Sequence, residues 1–129
     1  MELFNAEQST TDCDSGTCLN ASRAIDGDWT TFSITYPATG NWLQVGMTNM
    51  TVYQVELSAG TWSSDEIITV SLYSGETLSG QCQSHSGYGI ETLSCDRVAA
   101  DRVRLSVSRT SSAYLTVGDI RVTTKTIGL

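Results

Sequence analysis

The sequence predicts an all-β fold, a sandwich of short strands. Apolar and polar residues alternate with a period of two wherever a period is clear, and no stretch has the pattern of a long helix. The connections between these stretches are rich in Gly, Ser, Asn and Asp, as turns are. Half-buried strands separated by such turns favour a β-sandwich over a parallel α/β sheet. At 129 residues the chain has the ordinary length of one domain, and we expect a single domain over residues 1–129.

Five stretches are predicted as strands, in chain order "NWLQVGM", "VYQVELS", "IITVSLYSG", "DRVRLSVSR" and "LTVGDIRV". In the middle three, every second residue is apolar and is expected to face the core. These residues are Tyr53, Val55, Leu57, Ile68, Val70, Leu72, Val103, Leu105 and Val107. In the last stretch, Leu115 and Val117 lead through Gly118 to Ile120 and Val122. Trp42 in the first stretch is also expected in the core.

Composition and charge exclude several classes of protein. Hydrophobic residues make up 40% of the chain, which is close to the globular average and argues against bulk disorder. No apolar run approaches the roughly 18 residues that a membrane span needs. The formal net charge of −7 disfavours nucleic acid and anionic lipid as partners, because both require Lys and Arg as counter-charge. Four of the six arginines, Arg97, Arg102, Arg104 and Arg109, alternate with other residues, and we interpret them as a solvated strand face.

Four cysteines, Cys13, Cys18, Cys82 and Cys95, allow three disulfide pairings. The local pairing would close two short loops, for which chain entropy gives about 2 and 3 kcal/mol. A zinc site is disfavoured, because the spacings lack a doubled two-to-four-residue knuckle and the lone His85 is a poor fourth ligand. We therefore favour disulfides and expect a secreted or extracellular protein. Two N-glycosylation sequons, at Asn20 and Asn49, permit secretion without proving it.

A short acidic loop lies in the segment "NASRAIDGDWTTFSITY", where Asp26 and Asp28 flank Gly27. The residues alone leave two interpretations open. One is an Asp-Gly hairpin turn with no metal. The other is a metal-binding loop.

The order of these stretches resembles that of a known group of domains. "ASRAIDGDWTTF" resembles the A-x-N-A-I-D-G-N-x-x-T/S-x-W segment of discoidin-type domains, which include F-type lectins (fucolectins), factor 5/8 C domains and galactose-binding-like carbohydrate modules. "NWLQVGM", "VYQVELS", "ADRVRLSV" and "LTVGDIRV" follow in the family's order, so the resemblance covers roughly residues 20–123. It implies an antiparallel jelly-roll β-sandwich of about eight strands, galactose-binding-domain-like, with loops clustered at one end. The late cysteines are spaced as in F-type lectins, so we predict the pairs Cys13–Cys18 and Cys82–Cys95.

The resemblance also implies a structural calcium ion in the acidic loop. Transferred position by position, its oxygen ligands would come from Arg23, Asp26, Asp28, Thr31, Gly118 and Asp119. Arg23, Asp28 and Gly118 would give backbone carbonyls, Asp26 and Asp119 carboxylates, and Thr31 its carbonyl and hydroxyl. About six oxygen ligands suit calcium. Two positions depart from the family: Arg23 stands where Asn is common, and Asp119 replaces a longer Glu.

The fucose signature of F-type lectins is absent from this sequence. The position of the family's sugar-binding His falls on Ile34, and the loop that carries the family's two Arg is "SAGTWSSDE" here. A forked Arg donor cannot be replaced by carboxylates without redesign of the site. The chain therefore resembles a divergent member of the family.

Other residues are candidates for sugar binding. Trp62, Asp65 and Glu66 occupy the same loop, where a ring can cover the C–H face of a sugar and carboxylates can accept from its hydroxyls. For Trp62, packing is an equal alternative. Three further candidates lie in other loops: Tyr36, His85 and Tyr88. A solvated loop closed by the late cysteine pair is the alternative for the last two.

These features predict an extracellular, calcium-stabilised carbohydrate-binding module or lectin that recognises glycans through loops at one end. The alternative is an adhesion module that binds protein or a membrane surface, with lipid the weaker choice because carboxylates adjoin Trp62. We expect no enzyme activity, since the chain has one His and no G-x-S-x-G motif, although spacing alone does not exclude a carboxylate-pair glycosidase. The sugar and the oligomeric state, a homo-oligomer included, stay open.

Overall fold

A computed structural model describes residues 3–9, 13–14, 17–18, 21–25, 33–35, 40–60, 67–86, 89–107 and 115–125. The strands of this part of the chain are β1 (Leu3–Gln8), β2 (Cys13–Asp14), β3 (Thr17–Cys18), β4 (Ser33–Ile34), β5 (Trp42–Gly60), β6 (Ile67–Ser74), β7 (Thr77–Gln81), β8 (His85–Ser86), β9 (Gly89–Ser94), β10 (Ala99–Ser106) and β11 (Thr116–Lys125). A single 3₁₀ turn, Ala21–Ala24, is the one helical element described. No described helix is long and apolar enough to cross a membrane.

The 19-residue strand β5 organises the fold because its two halves have different neighbours. Its first half pairs with β1 and β10, and β10 continues through β6 to β7 and β8. Its second half pairs with β11 and β9, and β11 carries β4 on its other edge. All these pairings are antiparallel, so the sheet curls over along β5 into two layers. The predicted antiparallel jelly-roll β-sandwich is confirmed.

The core lies between the layers and is built from the predicted alternation. Eight of the nine residues predicted to face inward from the middle three stretches are buried: Val55, Leu57, Ile68, Val70, Leu72, Val103, Leu105 and Val107. Burying a side chain of this size contributes about 1.5–3 kcal/mol relative to leaving it exposed. The ninth, Tyr53, is half-buried, and the guanidinium of Arg97 lies 5.2 Å from its ring centroid.

The expectation for Trp42 is wrong. Leu43, Val45 and Met47 fill the core from the first half of β5, so the alternation places Trp42 on the outer face. There its ring is half-buried beneath Arg104, whose guanidinium carbon lies 4.7 Å from the ring centroid. The cation covers a ring that would otherwise be exposed.

A bulge in β11 explains how Gly118 interrupts its apolar pattern. The register against β5 shifts between Val117 and Asp119, so both Val117 and Ile120 reach the core although they are three residues apart. A Cβ on Gly118 would lie 3.1 Å from the Ser58 hydroxyl oxygen, which is tighter than ordinary packing. The absence of a side chain therefore lets β11 approach β5 at this point.

One predicted disulfide is confirmed. Cys82 and Cys95 are bonded and lie opposite each other, where the chain passes from β7 and β8 on one layer to β9 on the other. Cys13 and Cys18 are paired directly across β2 and β3. Their side chains lie outside the described part of the structure, so that disulfide stays a prediction.

Candidate ligand-binding end of the sandwich

Four strands begin or end together at one end of the sandwich, which we call the loop end. It is defined by Gly60 at the end of β5 and by the first residues of β6, β9 and β11, which are Ile67, Gly89 and Thr116. Gly60 lies opposite Thr116, and its neighbour Ala59 lies opposite Gly89. The start of β6 is placed nearby through β8, because Ile68 lies opposite His85, whose ring is hydrogen-bonded to the Ala59 carbonyl. The segments that join these strands therefore leave the framework from one small area.

The sequence-predicted sugar-binding residues belong mainly to the segments attached there. Trp62, Asp65 and Glu66 fall in residues 61–66, between β5 and β6, while Tyr36 follows Thr35 and Tyr88 precedes β9. All five lie outside the described residues, and their roles stay predictions. The strands that flank them are described, and these flanks converge at the loop end.

Residues 33–35 are held against the start of β11. The Thr35 amide donates to the Leu115 carbonyl at 3.1 Å, and the Leu115 amide donates to the Thr35 hydroxyl at 2.9 Å. The Ser33 hydroxyl donates to the Val117 carbonyl at 3.4 Å. Ile34, at the position of the fucolectin His, is buried rather than directed at solvent. The burial fits the absence of the fucose signature.

His85 is placed at the loop end, but its ring is already engaged. Its side chain is 3% exposed. Its Nε2 donates to the Ala59 carbonyl at 2.7 Å, and its Nδ1 is hydrogen-bonded to the Glu91 carboxylate at 2.9 Å. The ring thus connects β8, on one layer, with β5 and β9 on the other. A ligand role for His85 stays a prediction, and this geometry gives the residue a structural task that the sequence pattern did not reveal.

The predicted calcium ligands divide between described and undescribed residues. Asp26, Asp28 and Thr31 fall in residues 26–32, outside the described part. The 3₁₀ turn that carries Arg23 contacts both β4 and β11, and Ser33 lies opposite Val117. The Ser33 end of the undescribed segment therefore lies close to Gly118, and the turn before the segment contacts β11. Among described residues, no group of three metal-binding side chains occurs.

The Asp119 carboxylate, a predicted calcium ligand, is buried and is hydrogen-bonded by two neighbouring groups. The residue is 3% exposed. Its Oδ1 accepts from the next amide, that of Ile120, at 3.0 Å, and its Oδ2 accepts from Arg121 Nε at 3.3 Å. The Arg121 side chain is largely exposed, so its charge is partly screened by solvent. A carboxylate has about four lone-pair positions, so these two hydrogen bonds leave positions open, and the calcium role of Asp119 stays a prediction.

Sequence reasoning missed a second group of side chains on the outer face of the sheet. Arg104 lies between two rings, 4.7 Å from the Trp42 centroid and 5.3 Å from the Tyr73 centroid. Its Nε and Nη2 also donate to Gln44 Oε1, at 3.1 and 2.7 Å. The alternation around Leu43 already contained the signal, since it directs Trp42 and Gln44 outward with Arg104.

Comparisons with known proteins identify the fold. No family model and no curated protein matches the sequence. Among solved structures, the lectin domain of lectinolysin in complex with Lewis B antigen is similar, with a TM-score of 0.76, 18% identity, and 95% and 93% of the two chains covered. A fucose-binding module of Streptococcus pneumoniae has a TM-score of 0.73 and 16% identity, with 95% of this chain and 92% of that chain covered. Chitosan-binding module 1 of a Paenibacillus sp. IK-5 chitosanase/glucanase has a TM-score of 0.71 and 24% identity, with 93% of this chain and 94% of that chain covered.

These likenesses extend over nearly the whole chain. They confirm the predicted resemblance at the level of the fold, which this chain shares with fucose-binding lectin modules and other carbohydrate-binding modules. Identities below 25% do not carry binding residues from one protein to another, so the ligand site of this chain depends on its own residues.

Proposed function

We propose that this chain is a non-catalytic, extracellular carbohydrate-binding module that holds glycans at the loop end. The convergence of four strand ends on one area is the observation that supports it most directly. That convergence gives the segments carrying Tyr36, Trp62, Asp65, Glu66 and Tyr88 rigid attachment points, and a sugar site needs such placement of rings and carboxylates. Structural neighbours that bind Lewis B antigen and chitosan support the same class of ligand.

The net charge narrows the class of glycan. A chain of formal charge −7 repels sialylated, uronate-containing and sulfated chains over distances of about one Debye length, about 8 Å at physiological salt. Neutral glycans and amino sugars avoid this repulsion. They are therefore the proposed ligands.

Calcium is proposed to stabilise the same end of the molecule. Arg23, Gly118 and Asp119, together with Asp26, Asp28 and Thr31, would hold it. The ion would supply positive charge that neutralises Asp119 and ties the segment 26–32 to β11. The buried Asp119 carboxylate and the pairing of Ser33, at the end of that segment, with Val117 support the proposal.

An adhesion module that binds protein is the second candidate. Two apolar side chains at the loop end are exposed: Ile67, which starts β6, is 52% exposed, and Ile90, near the start of β9, is 66% exposed. Exposed isoleucines are more typical of a protein contact than of a sugar site. Membrane lipid is disfavoured by the negative net charge.

A glycan array with calcium and with chelator separates these functions. We expect binding to a restricted set of neutral or amino-sugar glycans in calcium, and weaker binding in chelator. Binding to no glycan under either condition would contradict a carbohydrate-binding module. Retained binding after Ile67→Ser and Ile90→Ser would show that the isoleucines are not part of the glycan site.

A further inference from the structure

A cavity of about 280 Å³ opens on the outer face of the sheet, away from the loop end. We call it the face pocket. Its lining includes Phe4 and Glu7 from β1, Gln44 and Gly46 from β5, and Asp101 and Arg102 from β10. Two cross-strand rows form it, because Phe4 lies opposite Gly46 and Gly46 opposite Arg102, while Glu7 lies opposite Gln44. Sites for drug-sized ligands begin at about 300 Å³, so the face pocket has room for a small ligand.

A bulge in β1 makes the pocket possible. Phe4 and Glu7 are three residues apart, and in a regular strand they would face opposite sides of the sheet. The register shifts between them, with Asn5 in the left-handed region at φ 50°, a conformation that Asn tolerates better than most residues. Both side chains therefore project on the outer face.

Gly46 provides the floor of the pocket. A Cβ at this position would lie 3.0 Å from Phe4 Cε2 and 3.2 Å from Phe4 Cδ2. The Phe4 ring thus lies against a bare backbone, and it is still 42% exposed. The exposed part of the Phe4 ring is an apolar surface that a ligand can cover.

Hydrogen-bond donors and acceptors surround the Phe4 ring. Glu7 and Arg102 form no ion pair with any described residue. The Asp101 carboxylate is fixed, since it accepts from the Gly75 amide at 3.0 and 3.2 Å. Gln44 has its oxygen occupied by Arg104, which leaves its amide nitrogen as a donor. The polar and aromatic residues of the lining supply one ring, two carboxylates, one guanidinium and two amides, those of Asn5 and Gln44.

We propose that the face pocket binds a single sugar ring, as a second glycan contact separate from the loop end. A sugar presents an apolar C–H face to Phe4 and hydroxyls that both donate to carboxylates and accept from Arg102 and Gln44. A simple anion does not fit, because two carboxylates line the pocket against one cation. The ring of Phe4 also gives an inorganic ion nothing to contact. The choice of a sugar rests on the proposed function, whereas the location of the pocket does not.

Amide NMR of the ¹⁵N-labelled protein tests this proposal. The protein is titrated separately with galactose, glucose, mannose, fucose, N-acetylglucosamine and sodium phosphate. We expect at least one sugar to shift the amide signals of Gln44, Asp101 and Arg102. Gly46→Ala places a methyl on the floor and displaces Phe4, and Phe4→Ala removes the ring. Each variant should weaken this response about tenfold, by analogy with the loss of a stacking ring.

Leu78→Ala is the matched control, because Leu78 is a similarly exposed apolar side chain on β7, outside the pocket. It should leave the response unchanged. The proposal is overturned if no sugar shifts the three signals, if only phosphate does, or if Leu78→Ala weakens the response as much as Gly46→Ala. Shifts confined to Ala59, Gly60 and Ile67 would overturn the face pocket while supporting the loop end. Shifts confined to Gln44, Asp101 and Arg102 would support the face pocket and contradict glycan binding at the loop end.

Discussion

At the scale of single residues, the buried polar groups at the loop end differ in what surrounds them. His85 has a protein acceptor for each ring nitrogen, whereas the Asp119 carboxylate accepts from one adjacent amide and one exposed arginine. The hydroxyl of Thr116, also at the loop end, finds no hydrogen-bond partner among described residues. His85 is thus suited to hold the two layers together. The Asp119 carboxylate has lone-pair positions left for a further donor or a cation.

The first prediction concerns His85. His85→Ala removes the donor to the Ala59 carbonyl and should lower the free energy of unfolding by about 1–3 kcal/mol, the usual cost of leaving a buried acceptor unsatisfied. Urea denaturation measures this loss. Ser86→Ala, at the exposed neighbouring position, should change stability by less than about 0.5 kcal/mol. Unchanged stability of His85→Ala together with lost glycan binding would instead make His85 a ligand residue.

The second prediction concerns Trp62. If its ring covers a sugar, Trp62→Ala should weaken glycan binding by about 1–3 kcal/mol, by analogy with base stacking on aromatic rings, which is roughly ten- to a hundredfold. The melting temperature should stay nearly unchanged. Titration calorimetry with a glycan identified on the array gives the affinity, and scanning calorimetry gives the melting temperature. A large loss of stability would show that Trp62 packs in the core.

At the scale of elements, the strands with a clear alternation were predictable, whereas β1, β7, β9 and the irregularities of the strands were not. The alternation of Ile68, Val70 and Leu72 is a local property, so sequence alone identified β6 and its buried face. The length of β5 was not predictable, because its passage between layers depends on four neighbouring strands that are distant in the chain. The β1 bulge, which creates the face pocket, likewise appears only when β1 pairs with β5. The candidate site was predicted as residue types, while its placement required the topology.

The third prediction concerns the corner between β7, β8 and β9. The Cys82–Cys95 disulfide closes a loop with a sequence separation of 13 residues, so replacing both cysteines with Ala should cost about 3 kcal/mol by the chain-entropy estimate. The pair Cys13 and Cys18 closes a shorter loop, and its double replacement should cost about 2 kcal/mol. Denaturant unfolding of the two double variants measures both. Four free thiols in the denatured, unreduced wild type would contradict both disulfides.

At the scale of the whole molecule, calcium should couple ligand binding to stability. An ion that binds only the native state stabilises it by about 2.7 kcal/mol at a hundredfold excess over its dissociation constant. The fourth prediction is that chelator lowers the melting temperature of the wild type and has no effect on Asp26→Ala or Asp119→Asn. Asp101→Asn changes a carboxylate elsewhere and should keep the response. No response in the wild type, with no metal by elemental analysis, would rule out the calcium site.

The position of a bound glycan tests the proposed function most directly. Titrating the ¹⁵N-labelled, calcium-loaded protein with a glycan identified on the array should shift the amide signals of Ala59, Gly60, Ile67 and Gly89 at the loop end. Thr124, near the far end of β11 and outside the face pocket, should not respond. Shifts confined to that far end, or the absence of any glycan that shifts the loop-end signals, would contradict a carbohydrate-binding module of this kind.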